Sequence, residues 1–431
     1  MMLKLPEHIQ ELILCYFEPI QFNDDILQVC KYIRQLIQSD LYVTLHIKNR
    51  RLNNILNFLN NIQFNITDIL ISSNYITRSV EETNNIINIL EKFTNLSKLN
   101  LFFNNISNIN NLAKFTNLIE LDLNSNTISN IDSLANLTNL TKLILYKNNI
   151  NNINSLSSLT NLIELFLCDN KISNIDSLAN LTNLTELNIH HNIISDIRRL
   201  EKLTNLIELF LCDNEISNID SLANLTNLTE LNISSNVIII INSLANLTNL
   251  TQLGLNYNQI SNIDSLAKLT NLKELSLNDN QISNIDSLAN LINLILLNLH
   301  YNNIYNVDSL AKLTKLIELK LHNNHINNID ILTNITKLTK LKLHTNNITN
   351  IDSLANLTNL TKLKLHTNNI SNIDSLVNLT NLNVLDLANN SFNNIDQLAI
   401  LTNLKELYIN DNNINNIDSL ANLINHVYLV W

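Results

Sequence analysis

The sequence contains almost no glycine, with Gly254 as the single one among 431 residues. A phosphate-binding loop, a dinucleotide-binding fingerprint and a serine nucleophile elbow each need two or more glycines at fixed spacings. One glycine excludes all three kinds of site. The acidic and histidine side chains recur with the period of a sequence repeat, which is typical of a solvated surface and not of a catalytic site. We therefore expect a protein that binds a partner without catalysis and without a cofactor.

An excess of positive charge, long apolar runs and paired cysteines are also lacking. The net charge is -11, and an acidic chain is repelled by nucleic-acid phosphates. No apolar run reaches the roughly 18 residues of a membrane span, so neither nucleic acid nor a membrane is an expected partner. The four cysteines form no CxxC pair, which predicts no metal site. Lys4, Glu7 and Glu11 interrupt the apolar centre that a signal peptide needs, so an intracellular location, cytoplasmic or nuclear, is expected.

The dominant feature of the sequence is a repeat of 22 residues that runs without insertion or deletion over residues 96–425. The consensus of the fifteen units is LxxLxLxxNxIxxIxxLxxLxx, with apolar exceptions such as Phe392 at position eleven and Val307 at position fourteen. Leu96 occupies the first position of the first unit and Leu404 that of the last. Such self-similarity predicts a solenoid, in which each unit packs against its neighbours.

The spacing of apolar residues predicts the structure of one unit. Leucine or isoleucine at positions four and six alternates with polar residues, as in a short strand with one buried face. The rest of the unit is too short for a long helix and two turns, so 3₁₀ or irregular turns are expected on the outer side. The asparagine at position nine is predicted to turn inward and bond backbone groups. The aspartate common at position fifteen is predicted to cap the outer turn.

Less regular segments precede and follow the repeats. Residues 66–95 match one irregular unit with an insertion, and residues 43–65 are predicted to cap the core, with a strand around Val43 to Ile47. Residues 426–431 match the start of one more unit and predict a partial terminal strand. An uncovered strand edge favours pairing with another chain, so end-to-end association is expected.

Segments such as 180-NLTNLTELNI-189 and 279-DNQISNIDSLANL-291 resemble the repeats of the leucine-rich-repeat family. Within that family they are similar to the short 22-residue class found in internalins and in regulators of protein phosphatases. The resemblance covers residues 66–431. It implies an α/β repeat solenoid, a curved stack with a parallel sheet on the concave face and short 3₁₀ or irregular turns on the convex face. It also implies a binding role, while leaving the partner open.

Residues 1–42 have apolar residues at helical spacing, which predicts a small helical domain before the solenoid. This segment resembles an F-box, although Ile33 replaces an aromatic residue and Tyr42 replaces a tryptophan of the family pattern. The resemblance implies that the segment docks on the Skp adaptor of a cullin-RING (SCF-type) ubiquitin ligase, while the repeats hold the substrate. The alternative is a non-catalytic interaction scaffold whose N-terminal helices only cap the solenoid. The matching residues that would contact the adaptor are Leu5, Pro6, Ile9, Leu12, Ile13, Val29, Cys30 and Leu36.

Side chains at positions three, five, seven and eight are predicted to point outwards from the concave face, where a protein partner would bind. The earlier units place acidic and aromatic residues there, and the later units place lysines and a column of histidines. The residues predicted to contact the partner are Phe166, Glu186, Glu208, Phe210, His300, Lys320, His322, Lys342, His344, Lys364 and His366.

The histidine column at position seven has three interpretations. Imidazole is a ligand of zinc and copper, which suggests a metal site. Histidines beside lysines also suggest a strip for an anion or an acidic peptide, strengthened as the pH falls through about 6.5. Finally, residues 341–362 and 363–384 are almost the same unit twice, so duplication alone explains a column.

Overall fold

The computed structural model describes residues 43–48, 66–72, 87, 88, 90, 93, 95–423 and 427–431. The chain divides into two compact units, Met1–Ile193 and Ile194–Trp431. The division falls inside one 22-residue repeat, and the same repeat builds both units.

Among its described residues, the first unit contains seven strands and four short 3₁₀ helices. Each 22-residue repeat contributes one strand of three residues followed by one 3₁₀ helix, as the spacing predicts. The strands are β1 (Val43–Lys48), β2 (Ile66–Ser72), β3 (Lys98–Asn100), β4 (Glu120–Asp122), β5 (Lys142–Ile144), β6 (Glu164–Phe166) and β7 (Glu186–Asn188). The 3₁₀ helices are η1 (Asn110–Lys114), η2 (Asp132–Asn136), η3 (Asn154–Ser158) and η4 (Asp176–Asn180).

The second unit continues the same alternation. Its strands are β8 (Glu208–Phe210), β9 (Glu230–Asn232), β10 (Gln252–Gly254), β11 (Glu274–Ser276), β12 (Leu296–Asn298), β13 (Glu318–Lys320), β14 (Lys340–Lys342), β15 (Lys362–Lys364), β16 (Val384–Asp386), β17 (Glu406–Tyr408) and β18 (Tyr428–Val430). Its 3₁₀ helices are η5 (Arg198–Lys202), η6 (Asp220–Leu222), η7 (Asn242–Asn246), η8 (Asp264–Lys268), η9 (Asp286–Asn290), η10 (Asp308–Lys312), η11 (Asp330–Asn334), η12 (Asp352–Asn356), η13 (Asp374–Asn378), η14 (Asp396–Ile400) and η15 (Asp418–Leu420).

Within each unit, consecutive strands pair in parallel, and from β2 onward they pair in register, while the β1–β2 pair has an irregularity between Val43 and Thr44. The leucine at position four lies opposite the same leucine of the next repeat, as Leu99 does with Leu121 and Leu341 with Leu363. The parallel sheets and 3₁₀ turns confirm the predicted repeat solenoid. The predicted helical domain, residues 1–42, lies outside the described residues. In the predicted cap, the expected strand is confirmed as β1.

The core lies between the strands and the 3₁₀ helices. In the repeat that begins at Leu118, Leu121, Leu123, Ile128 and Ile131 are at most 1% exposed. Burying one such side chain stabilises the fold by about 1.5–3 kcal/mol relative to leaving it in water. Because each unit covers the apolar side chains of the next, this gain depends on strict register between neighbours.

The asparagine at position nine joins each repeat to the one before it. Asn236 Nδ2 donates to the carbonyl oxygens of Leu211, Ile233 and Ser234 at 3.1, 3.2 and 3.0 Å. Its Oδ1 accepts a hydrogen bond from Ile216 N at 2.9 Å. Leu211 and Ile216 belong to the preceding repeat, so one amide satisfies backbone groups of two repeats. This confirms the predicted inward orientation of the position-nine asparagines.

The outer turn is capped by position thirteen, and the prediction that position fifteen caps it is wrong. Asn130 Oδ1 accepts from Asp132 N at 2.8 Å, while Asn130 Nδ2 donates to Asp132 Oδ2 at 3.1 Å. Asn130 therefore satisfies the first backbone amide of η2. The carboxylate of Asp132 only accepts a hydrogen bond from the side-chain amide of Asn130. A short polar side chain readily accepts a hydrogen bond from the backbone amide two residues later in the chain, which favours position thirteen as the cap.

The residue at position eight adopts a left-handed backbone conformation in repeat after repeat, although none of these residues is glycine. Tyr257, Thr345 and Thr367 have φ values of 53°, 56° and 57°. This conformation is costly for a side chain branched at Cβ. It turns the chain sharply at the strand end, which brings position nine into the interior.

No helix among the described residues combines the length and apolar character that crossing a membrane requires.

Replacing Asn236 by alanine is predicted to lower the free energy of unfolding by at least about 2 kcal/mol. The change leaves Ile216 N and three carbonyl oxygens without their amide partner, and an unsatisfied buried group costs about 1–3 kcal/mol. Urea unfolding followed by circular dichroism measures the loss. The matched control is Asn227→Ala, since Asn227 Nδ2 bonds only the exposed carbonyl of Thr204. Equal stability of the two variants would contradict the structural role of position nine.

Candidate partner-binding face

The strand face consists of the side chains at positions three, five, seven and eight of the repeats. Positions three and five flank the buried leucine at position four, so they project to the opposite side of the sheet. Because the strands pair in register, equal positions form columns about 4.8 Å apart. Positions three, five and seven are half-buried in most described repeats; exposed residues occur among them only at position three, and most of the buried ones are at position seven.

All eleven predicted partner-contacting residues lie on this face. Phe166 and Glu186 belong to the first unit, and the nine others belong to the second. All are half-buried except His322, which is buried. The eight residues of the F-box-like segment lie outside the described residues.

In the first unit, aromatic and acidic groups surround Lys142. Lys142 forms an ion pair with Glu164, which lies in register with Glu186 on the next strand. The hydrogen bond from Lys142 to Glu164 raises the pKa of the lysine. Lys142 Nζ also lies 5.5 Å from the centre of the Phe166 ring, within range of a cation–π contact.

The second unit begins with an acidic region. Glu208 and Glu230 lie opposite each other on β8 and β9. Burial first, and then the charges of Glu208 and Glu274, raise the pKa of Glu230. Phe210 lies on the same face, opposite Asn232, and is half-buried.

Farther along the second unit is the lysine region, comprising Lys320, Lys340, Lys342, Lys362 and Lys364. Lys320, Lys342 and Lys364 lie in register at position five, and Lys340 and Lys362 at position three. Two carboxylates on β13–β16 oppose these five lysines, which leaves three positive charges in excess. Glu318 lies 2.9 Å from Lys320 and 3.3 Å from Lys340, and Asp386 lies 3.9 Å from Lys364.

Lys342 and Lys362 have no carboxylate partner among the described residues. Burial lowers the pKa of Lys342, and the neighbouring charges of Lys320 and Lys362 lower it further. Like charges placed directly opposite in a sheet reduce stability. An anionic partner would relieve this repulsion and would be attracted from a distance.

The histidine stack consists of His300, His322, His344 and His366. Successive ring centres are 4.3, 4.2 and 4.1 Å apart, and successive ring planes differ by 9°, 29° and 15°. The rings therefore lie face to face along the sheet, and each side of an inner ring is covered by its neighbour.

Stacking opposes protonation of the inner histidines. Burial first, and then the charges of neighbouring histidines and lysines, lower the pKa of His322 and of His344 to about 3. Burial also lowers the pKa of His300 and of His366, although Asp279 and Asp386 act in the opposite direction. The expectation that the column gains charge near pH 6.5 is therefore wrong for His322 and His344. At neutral pH the stack is an uncharged aromatic surface beside charged lysines.

The stack geometry also argues against the predicted alternative of a metal site. The lone pair of an imidazole nitrogen lies in the plane of its ring, so nearly parallel rings aim their lone pairs side by side. Several nitrogens of one stack cannot converge on one ion, as zinc coordination requires.

Sequence reasoning missed two features of the face. Glu318 and Asp386 partly neutralise the lysine region because they occupy the same columns as the lysines. Cys168, Asp169 and His190 approach one another from two successive repeats of the first unit. Both features follow from columns at equal positions in adjacent repeats, which the 22-residue alignment already displays.

The histidine stack predicts a pH dependence of stability. His322 and His344 bind protons in the unfolded chain near pH 6.5 but in the fold only near pH 3, so the unfolded chain carries more protons between these values. Stability should therefore fall as the pH decreases from about 7 towards 3. We expect the melting temperature of His322→Gln/His344→Gln to fall less between pH 7 and pH 4 than that of the parent.

The control is His325→Gln, which changes an exposed histidine outside the stack. It should retain the pH dependence of the parent chain. If the double variant and the parent lost the same number of degrees over this pH range, the lowered pKa values would be refuted.

Comparison with known proteins agrees with the architecture. A family model for leucine-rich repeats in two copies matches residues 160–202 and 248–290. A comparison with curated proteins found no match. An internalin (inlF) of Listeria monocytogenes is 34% identical, with a TM-score of 0.67, over 70% of this chain and 89% of the internalin.

Two further solved structures are similar. A leucine-rich-repeat protein of Leptospira interrogans is 26% identical, with a TM-score of 0.79, over 89% of this chain and 100% of that protein. The ectodomain of an Arabidopsis thaliana membrane receptor kinase (GASSHO1/SCHENGEN3), solved in complex with CASPARIAN STRIP INTEGRITY FACTOR 2, is 25% identical with a TM-score of 0.55. That match covers 81% of this chain and 50% of the receptor chain. The register, the 3₁₀ turns and these matches together show that the chain belongs to the leucine-rich-repeat family.

Proposed function

We propose that this chain is a non-catalytic protein-binding protein whose partner contacts the strand face of the repeats. The observation that carries the proposal is the lysine region, where two half-exposed lysines have no carboxylate partner among the described residues. The similar receptor ectodomain, solved with its bound factor, supports a binding role for this fold.

The charges of the second unit favour a partner with an acidic segment. Carboxylates of that segment would pair with Lys342 and Lys362 and would lie against the neutral histidine stack. The acidic region at Glu208 and Glu230 would exclude a segment that is acidic throughout, since like charges repel. Phe166 and Phe210 offer apolar contacts, and aromatic residues are common at the centres of protein interfaces.

We further propose that the chain recruits substrates to a cullin-RING (SCF-type) ubiquitin ligase, and that it acts inside the cell. The support is the sequence pattern of residues 1–42, in which Leu5, Pro6 and Ile9 open the F-box-like match. The repeats would hold the substrate close to the ubiquitin-loading machinery, so the chain would contribute proximity and no covalent chemistry.

A plain interaction scaffold is the second candidate. In that case residues 1–42 cover the apolar end of the solenoid and bind no adaptor. The acidic region and the lysine region of the second unit would still serve a partner. The two candidates differ only in what the N-terminal segment binds.

Replacing Lys342, His344, Lys364 and His366 by serine is predicted to weaken capture of partners about tenfold. The variant loses two lysines and half of the histidine stack, while the buried leucines and asparagines stay. We expect proteins retained by the tagged parent chain in cell lysate to be depleted about tenfold, which corresponds to roughly 1.4 kcal/mol of binding free energy. Quantitative mass spectrometry measures the depletion.

The matched control is Lys268→Ser/Lys312→Ser, which removes two exposed lysines from the 3₁₀ helices η8 and η10. This control should retain the same proteins as the parent. An identical set of proteins on the parent, the control and the strand-face variant would refute partner binding at the lysine region.

The adaptor proposal has a separate test with the full chain. The parent should bind a purified Skp adaptor in a pull-down, and Leu5→Ala/Pro6→Ala should bind at least about tenfold less, since apolar contacts of the F-box-like segment with the adaptor would be lost. The control is Gln10→Ala, at a position that the F-box pattern leaves variable. No binding by the parent would reject the ligase role and leave the scaffold.

A further inference from the structure

Cys168, Asp169 and His190 form a compact group of three side chains in the first unit. Cys168 and Asp169 follow β6, and His190 follows β7 in the next repeat. The cysteine sulfur, a carboxylate oxygen and an imidazole nitrogen all lie within 4.8 Å of one another. Cys168 is buried, and the other two side chains are half-buried.

The position-nine asparagines hold the backbone beneath this group. Asn170 Nδ2 donates to the carbonyl of Cys168 at 3.2 Å, and Asn192 Nδ2 donates to that of His190 at 3.1 Å. Asp169 N donates to His190 O at 3.1 Å, which links the two repeats directly. The three side chains therefore project from a rigid pair of strand ends, which lowers the entropic cost of holding a ligand.

The environment of His190 leaves one ring nitrogen available. His190 Nδ1 lies 2.6 Å from Asn188 Oδ1, and an amide oxygen only accepts hydrogen bonds. Nδ1 therefore carries the proton, and Nε2 keeps its lone pair. A hydrogen bond of this kind fixes the tautomer and orientation of histidines that coordinate metal ions.

Asp169 is oriented by a separate contact. Its Oδ1 lies 3.1 Å from His191 Nδ1 in the next repeat. The left-handed backbone of Asp169, with φ of 54°, places its carboxylate beside the position-seven column. A carboxylate oriented by a neighbouring donor is also usual beside metal ions.

We propose that Cys168, Asp169 and His190 bind a divalent transition-metal ion, with zinc as the preferred one. A thiolate, an imidazole and a carboxylate are the three ligand types that zinc takes in proteins. Bond lengths of about 2.0–2.3 Å place tetrahedral ligand atoms roughly 3.3–3.8 Å apart, so small rotations of the side chains complete the site. On binding, the Cys168 thiol releases its proton to solvent and the sulfur bonds the metal.

The three ligands leave a fourth position for water or for a side chain of a partner. Cysteinate and aspartate together carry two negative charges, which balance the charge of the ion. This balance makes the metal acceptable at a half-buried position, where an uncompensated charge is costly. The proposal is independent of the lysine region, which belongs to the second unit.

Cobalt(II) titration of the full, reduced chain tests this site. Cobalt occupies zinc sites and gives a thiolate-to-metal absorption band and visible bands that report tetrahedral geometry. We expect one equivalent of cobalt to produce both, and zinc to remove them by displacement. Cys168→Ser should lose the thiolate band, and His190→Gln should bind cobalt about 10–100-fold more weakly.

The matched control is His344→Gln, which changes a position-seven histidine of the second unit and should leave the spectrum unchanged. Melting curves without metal identify a variant that fails to fold, and only the parent and the control should melt at a higher temperature with zinc. Absence of a thiolate–cobalt band in the parent chain would overturn the proposal. Retention of that band in Cys168→Ser would overturn it equally, since another cysteine would then be the ligand.

Discussion

The asparagine amide at position nine controls how each repeat sits on its neighbour. Asn236 bonds backbone groups of its own repeat and of the preceding one, and is itself buried. A shift of one residue between repeats would leave these donors and acceptors unsatisfied in the interior, at a cost of about 1–3 kcal/mol for each group. It would also turn the leucines of the strands towards water. The hydrogen bonds and the apolar core therefore require the same register.

That register determines the chemistry of the strand face. Lys342 lies between Lys320 and Lys364 because equal positions must be neighbours. The histidines stack for the same reason, and burial, followed by the charges of neighbouring histidines and lysines, lowers the pKa of His322 and of His344 to about 3. When a repeat is duplicated, the same residue comes to lie at the same position of neighbouring strands, and the copies form a column. A column of like side chains reduces stability where it is charged and offers an extended surface to a complementary partner.

The sequence predicted the repeat architecture because its signals are local and recur in each unit. Leu121 and Ile131 follow the apolar period, and Asn236 occupies an invariant step of that period. Capping was assigned to Asp132 in error, since Asn130 and Asp132 both suit a turn and only geometry separates them. The pKa of His322 could not be predicted either, because it depends on how closely the rings stack. The 22-residue alignment already places Cys168 and Asp169 beside His190 in adjacent repeats, but only the structure shows that their ligand atoms lie within 4.8 Å of one another.

The most direct measurement of this account is site-resolved hydrogen exchange at the position-eleven amides. Ile216, Ile238 and Ile260 donate to the side chains of Asn236, Asn258 and Asn280, in contacts that tie successive repeats together. If these bonds set the register, the three amides should exchange as slowly as the strand amides of the same repeats. Exchange as rapid as that of exposed amides in the outer turns would show that the asparagines do not hold the stack, and would contradict the account.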